Sequence, residues 1–61
     1  MNNAKIYLTA EEVAKILGIS KGHSYKLIRK MNKELEAKGF LFVAGKIPVA
    51  YFEERYYGFT A

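Results

Sequence analysis

The chain has 61 residues, 51% of them hydrophobic, with five Tyr, four Phe, no Cys and a formal net charge of +4. A chain this short is read as one domain, residues 1–61, near the lower size limit for independent folding; its apolar and aromatic content argues against disorder, and without cysteine it has no disulfide or cysteine-based metal site. No apolar run approaches the ~18 residues of a membrane span and the first residues lack the basic-then-apolar order of a secretory signal, so no membrane partner is expected and the cytoplasm is the expected location.

Residues 1–5 are polar and are expected to be loose. The first helix is announced by Thr9-Ala10-Glu11-Glu12, a capping box in which the Thr hydroxyl accepts from the Glu12 amide and the Glu12 side chain reaches back. Leu8 and Val13 are spaced as a hydrophobic staple across that cap. Val13, Ala14 and Leu17 recur at helical spacing, and Gly18 ends the helix because glycine enters the left-handed conformation without steric cost. Ile19 then folds back onto the last turn.

Ser20 is placed as the N-cap of a second helix. Its apolar side runs through Leu27, Ile28, Met31 and Leu35, and it continues to a second stop at Gly39, about five turns in all. Phe40-Leu41-Phe42-Val43 is β-prone. With Ala44-Gly45 as a tight turn and Lys46-Ile47 as a return strand, it reads as a small hairpin, or wing. Pro48 suits the first position of a third helix, carrying Val49, Phe52 and Tyr56, with Gly58 as its end and Phe59 folding back. The expected fold is therefore mostly α: three helices, with a two-stranded β-hairpin between the second and third.

The charge is localised. Residues 21–33 hold Lys21, Lys26, Arg29, Lys30 and Lys33 and no acidic residue, whereas the rest of the chain holds five basic and six acidic residues. A cationic segment of this kind is the footprint of a polyanion binder. At about 100° per residue, Gly22, Lys26, Arg29 and Lys33 lie opposite the apolar stripe, flanked by Tyr25 and Lys30. Two helices joined by Gly18-Ile19-Ser20 form a helix-turn-helix pattern, whose second helix presents its N-terminal half to a DNA major groove. Arg29 and Lys26 are expected to reach guanine or phosphate, and Tyr25 a phosphate or a thymine methyl. Gly22 allows close backbone approach, Ser20 and the first-turn amides (Lys21 onward) suit a phosphate, at most one of Lys30 and Lys33 is expected to contact phosphate, and Lys46 at the wing tip suits an adjacent minor groove or its backbone.

The run Leu8-Thr9-Ala10-Glu11-Glu12-Val13-Ala14-Lys15-Ile16-Leu17-Gly18-Ile19-Ser20, followed by Tyr25-Lys26-Leu27-Ile28-Arg29, resembles the opening of the MerR/excisionase-like winged-helix family. Gly45-Lys46-Ile47-Pro48 and Phe52-Glu53-Glu54 are similar to that family's wing and third helix, so the resemblance covers residues 8–54. Two features depart from the pattern: the second helix is longer than in typical excisionases, and Ser24 stands where the family often has an apolar residue. The resemblance implies a winged helix-turn-helix that binds double-stranded DNA in a phage, transposon or plasmid context, near the nucleoid. Its role would be an excision accessory factor beside a recombinase or integrase, with self-association or cooperative binding on DNA. Two alternatives are a small repressor or activator on an operator, and a protein-interaction module using exposed Tyr51, Tyr57 and Phe59. No catalytic set, cofactor site or metal cluster is recognisable; His23 has no second His or Cys to share a metal. The chain is expected not to be an enzyme.

Overall fold

A computed structural model of the chain describes residues 6–56. In chain order it holds strand β1 (Tyr7–Thr9), helix α1 (Ala10–Leu17), helix α2 (Lys21–Ala37), strand β2 (Lys46–Pro48) and helix α3 (Val49–Arg55). Both termini of α1 follow from local chemistry. Thr9 accepts from the Glu12 amide at 3.2 Å while the Thr9 amide donates to Glu12 Oε1 at 2.8 Å. At the other end Gly18 adopts φ 68°, and the Ile19 amide donates to the Ala14 carbonyl at 3.0 Å. That bond closes the last turn and throws the chain into a new direction.

The turn is short: Ser20 caps α2, its Oγ accepting from the His23 amide at 3.1 Å. Helix α2 ends as it should for a glycine stop, with Phe40 N donating to Leu35 O at 2.9 Å and Gly39 N to Glu36 O at 3.0 Å. Seventeen residues at 1.5 Å each give roughly 25 Å of helix, the longest element among the described residues. Its inner face buries Ile28, Met31 and Leu35 together with Leu8, Ala10, Val13, Ile47, Tyr51 and Phe52. Leu8 and Val13 both lie in this core, as the staple requires.

The sheet corrects the sequence reading. The expected hairpin between α2 and α3 does not form; residues 40–43 have no ladder, and β2 pairs antiparallel with β1, ahead of α1, in the register Tyr7↔Pro48, Leu8↔Ile47, Thr9↔Lys46. This pairing sets Leu8 opposite Ile47 and buries both, whereas the side chains of residues 40–43 stay exposed. The tight turn itself is present: Lys46 N donates to Val43 O at 3.1 Å across Ala44-Gly45, with Gly45 at φ 78°, a conformation that glycine adopts freely.

Two further boundaries shift. Pro48 is the N-cap of α3 rather than its first residue, and α3 ends at Arg55, where Tyr56 turns extended (φ −116°, ψ 98°). Gly58, placed as the end of that helix, and Phe59, placed as its fold-back, lie outside the described residues, as do residues 1–5.

Two polar contacts set the packing of the helices. Ser24 is fully buried and its hydroxyl donates to the Ala10 carbonyl at 2.6 Å, joining α2 to the start of α1. Arg55 forks onto Glu34, Nε to Oε1 and Nη2 to Oε2, each at 2.9 Å, and the Tyr51 hydroxyl donates to Glu34 Oε1 at 2.6 Å. These bonds, the Arg55 one first, hold the Glu34 carboxyl at about 2 and raise the Arg55 guanidinium in turn.

Two expectations follow. Ser24→Ala removes a buried hydrogen bond and lowers unfolding free energy by about 1 kcal/mol, read from denaturant titration. A carboxyl whose pKa is depressed on folding stabilises above its unfolded pKa, and that stability is lost as pH falls through the folded one. Arg55→Met therefore melts below wild type at neutral pH, and the gap closes as pH falls from 4.5 towards 2. A gap that stays constant over that interval would remove the Glu34–Arg55 pair from the account.

Candidate nucleic-acid interface

The core fixes which way α2 faces. With Ser24, Ile28, Met31, Asn32 and Leu35 inward, the residues Gly22, Tyr25, Lys26, Arg29, Lys30 and Lys33 are all exposed. These residues therefore lie on the solvent side of α2, away from the core. Among the described residues, Lys26, Arg29, Lys30 and Lys33 form no ion pair. Glu34, which the sequence offers as a local counterion for Lys30 or Lys33, makes its hydrogen bonds to Arg55 and Tyr51, and Lys30 adds only a smaller coulombic pull on its carboxylate. Lys21 differs from the other cations: its Nζ lies 3.1 Å from Glu11 Oε2, and the hydrogen bond to that carboxylate raises its pKa. Both side chains are exposed, so the pair is a weak tie that an anionic ligand can replace.

The start of α2 breaks an ordinary preference. Helix α1 carries Glu11 and Glu12 in its first turn, whereas α2 carries no acidic residue there and places Lys21 against the positive end of the helix dipole. Such an arrangement is mildly unfavourable alone and becomes favourable beside an anion. Ser20 is exposed at this end, its oxygen already accepting from the His23 amide.

The turn at 43–46 comes back to the same side of the molecule. A Cβ built on Gly45 would stand 3.5 Å from Tyr25 Cε1, so the turn lies against the Tyr25 ring. Tyr25 itself remains exposed. Between α2 and the turn lies a cleft of about 720 Å³, with Tyr25, Arg29 and Lys33 from α2 and Phe42, Gly45 and Lys46 from the turn segment in its lining. Glu11 and Glu36 also border it. Lys46 is exposed, at the first position of β2 and immediately after the turn.

Asn32 builds this cleft and was not singled out from the sequence. Its side chain is 3% exposed, and Nδ2 donates to the Val43 carbonyl at 3.3 Å and to the Lys46 carbonyl at 3.1 Å. One amide thus pins both ends of the turn to the middle of α2. The signal was present, since Asn32 lies four residues from Ile28 and three from Leu35, on the inner stripe.

Burial decides the reading of the α3 aromatics. Tyr51 and Phe52 are core residues, and Phe52 packs on Tyr56 with ring centroids 4.6 Å apart. The alternative that used Tyr51 as an exposed interaction residue is therefore corrected; Tyr57 and Phe59, its other members, lie outside the described residues. No group of three or more His, Cys, Asp or Glu among the described residues is placed to hold a metal ion, and no helix among them is long and apolar enough to cross a membrane.

The described residues form a small, mostly helical fold of three helices and a two-stranded antiparallel sheet, and the second helix turns cationic side chains to solvent. The chain is 40% identical over 50 residues to the ICEBs1 excisionase of Bacillus subtilis (strain 168), an alignment covering 82% of this chain and 78% of that protein. The chain belongs to the excisionase family. No family model matches it, and no solved structure does.

The clamp gives a direct expectation. Asn32→Leu keeps the volume but leaves the Val43 and Lys46 carbonyls without the amide, at a cost of about 1–3 kcal/mol. The Lys46 amide, bonded to Val43 O, should then exchange with solvent faster, while the α1 amides change only with global stability. Equal acceleration everywhere would show that Asn32 does not hold the turn locally.

Proposed function

We propose that this excisionase-family chain binds double-stranded DNA as a winged helix-turn-helix of the MerR/excisionase type and serves as a recombination accessory factor of a mobile element, working with a recombinase. In this reading the outward face of α2 enters the major groove. Lys26 and Arg29 contact base edges or phosphate, Tyr25 a phosphate or thymine methyl, and Lys30 or Lys33 a phosphate. Ser20, Lys21 and Gly22 sit at the helix start, where the amides and dipole favour a phosphate. The turn at 43–46 takes the place of the wing, and Lys46 meets the neighbouring minor groove or its backbone.

The observation that carries the reading is the division of α2 itself. One face is committed to the core, and the other bears four cations with no ion-pair partner among the described residues. The likeness to a protein named as an excisionase supports recombination rather than transcription as the setting. The chemistry asked of the chain is binding and shaping of DNA; no catalytic step is assigned to it.

Binding to labelled duplex DNA, followed by fluorescence anisotropy over a range of salt, tests the reading. Affinity should fall steeply with salt, with a log–log slope of about −0.9 for each phosphate contact. Arg29→Ala should weaken specific binding by about tenfold or more if it reads a base. Lys46→Ala should weaken binding modestly on all sequences and lower the slope by about one. A flat salt response, or binding indifferent to Lys26→Ala with Arg29→Ala, would sink the DNA reading. Footprints at direct repeats beside an attachment sequence support the recombination role, whereas a pseudo-palindrome over a promoter would make the chain a regulator.

A further inference from the structure

The largest unexplained surface feature is the segment 40–43. Four large apolar side chains in succession are exposed there, from 40% for Phe42 to 93% for Leu41. An apolar patch of this kind calls for a partner. The four do not share a direction. Phe40 and Leu41 border a shallow hollow with Leu35, Pro48, Ala50 and Tyr51, where Lys38 and Glu54 balance each other in charge. Phe42 instead lines the cleft that Arg29, Lys33 and Lys46 also line. It is the aromatic of this segment that stands among the cations.

The backbone carrying Phe42 is held at close intervals. Phe40 N donates to Leu35 O at 2.9 Å, fixing the segment to the end of α2. Immediately after Phe42, the Val43 carbonyl accepts from both Lys46 N (3.1 Å) and Asn32 Nδ2 (3.3 Å). The short arc between these ties presents an exposed aromatic ring on a fixed base, next to cations that neutralise phosphate.

We propose that Phe42 is an apolar wedge that enters a base step of the minor groove next to the major groove occupied by α2, partly unstacking it and bending the duplex. The proposal rests on the DNA reading above and deepens it. The occupant is chosen on charge complementarity: in the lining of the Phe42 cleft Arg29, Lys33 and Lys46 outnumber Glu11 and Glu36, and Glu11 is tied to Lys21, so the surroundings of Phe42 carry net positive charge and favour a polyanion. Proteins that bend DNA through the minor groove use apolar side chains in this way, the unstacking being offset by the wider contact that the bend permits. A wedge works only if it does not fold aside under load, and the Asn32 clamp and the Phe40 tie supply that stiffness. Pyrimidine–purine steps unstack most easily, so the wedge should settle at such a step.

The test uses the full chain and a short duplex carrying its footprinted site, with 2-aminopurine placed at successive positions and dyes at the two ends. Wild type should brighten 2-aminopurine at one step and bring the ends closer together. Phe42→Leu should keep both signals, and Phe42→Ala should lose both while retaining the salt slope set by the cations. Asn32→Leu, with Phe42 intact, should reduce the bend. A mismatch at the responding step meets the unstacking cost in advance, so wild type should bind it roughly tenfold more tightly than the matched duplex, and Phe42→Ala should show no such preference. If wild type binds with the expected salt slope but no position brightens, or if Phe42→Ala bends DNA as wild type does, the wedge is overturned while the DNA reading stands. Absence of any duplex binding overturns both. Circular dichroism of each variant establishes that it is folded.

Discussion

The structure depends on helix α2 serving two environments at once. Its inner face must be buried, because Ile28, Met31 and Leu35 are central to the core, and its outer face must remain in solvent, because it is a run of cations. A rotation of α2 by one residue, about 100°, would put a lysine or arginine into the core, at a desolvation cost no pairing among the described residues offsets. Burial of an apolar stripe thereby aims the charged face. In this chain the hydrophobic effect supplies orientation as well as stability.

Apolar burial is not directional, however, and a chain this small has little core to spare. Three polar contacts supply the direction. Ser24 fixes α2 against the start of α1 through the Ala10 carbonyl; Glu34 fixes it against α3 through Arg55 and Tyr51; Asn32 fixes it against the turn through two carbonyls. The three residues are spread along the helix, one for each element it must hold. They also account for charge: Glu34 is turned towards α3 and Glu11 towards Lys21, which leaves Lys26, Arg29 and Lys33 without neutralising partners among the described residues.

This division explains what was readable from sequence. The capping box at Thr9, the glycine stop at Gly18, the Ser20 cap and the α2 stripe are local signals, each complete within four or five residues, and all of them are present in the structure. The cationic face followed from the stripe by angle alone. The sheet was misread because strand pairing is non-local: β propensity marked residues 40–43, but the pairing of β2 was decided by Leu8 opposite Ile47, more than thirty positions apart in the chain. Strand β1, with three residues, is too short to show an alternating pattern. Asn32 carries no readable role in the sequence, and Ser24 stands out there only as a departure from the family pattern, because a polar residue on an apolar stripe is ambiguous until its acceptor is known, and the acceptors, Val43, Lys46 and Ala10, come from other parts of the fold.

The loss of the expected hairpin changes how the turn relates to the helix. In a two-stranded wing the tip would be held by its own ladder and would move as a hairpin hinged on the core. Here the turn is held by the side chain of a residue on α2, and the Tyr25 ring on the same helix lies against Gly45. Helix and turn are thus one mechanical unit, with Arg29, Lys33, Phe42 and Lys46 around a single cleft. A ligand that engages α2 meets the turn at a fixed offset, so the offset itself becomes part of what is recognised. For a duplex, that means its groove spacing and its readiness to deform contribute to selection alongside the base edges facing α2.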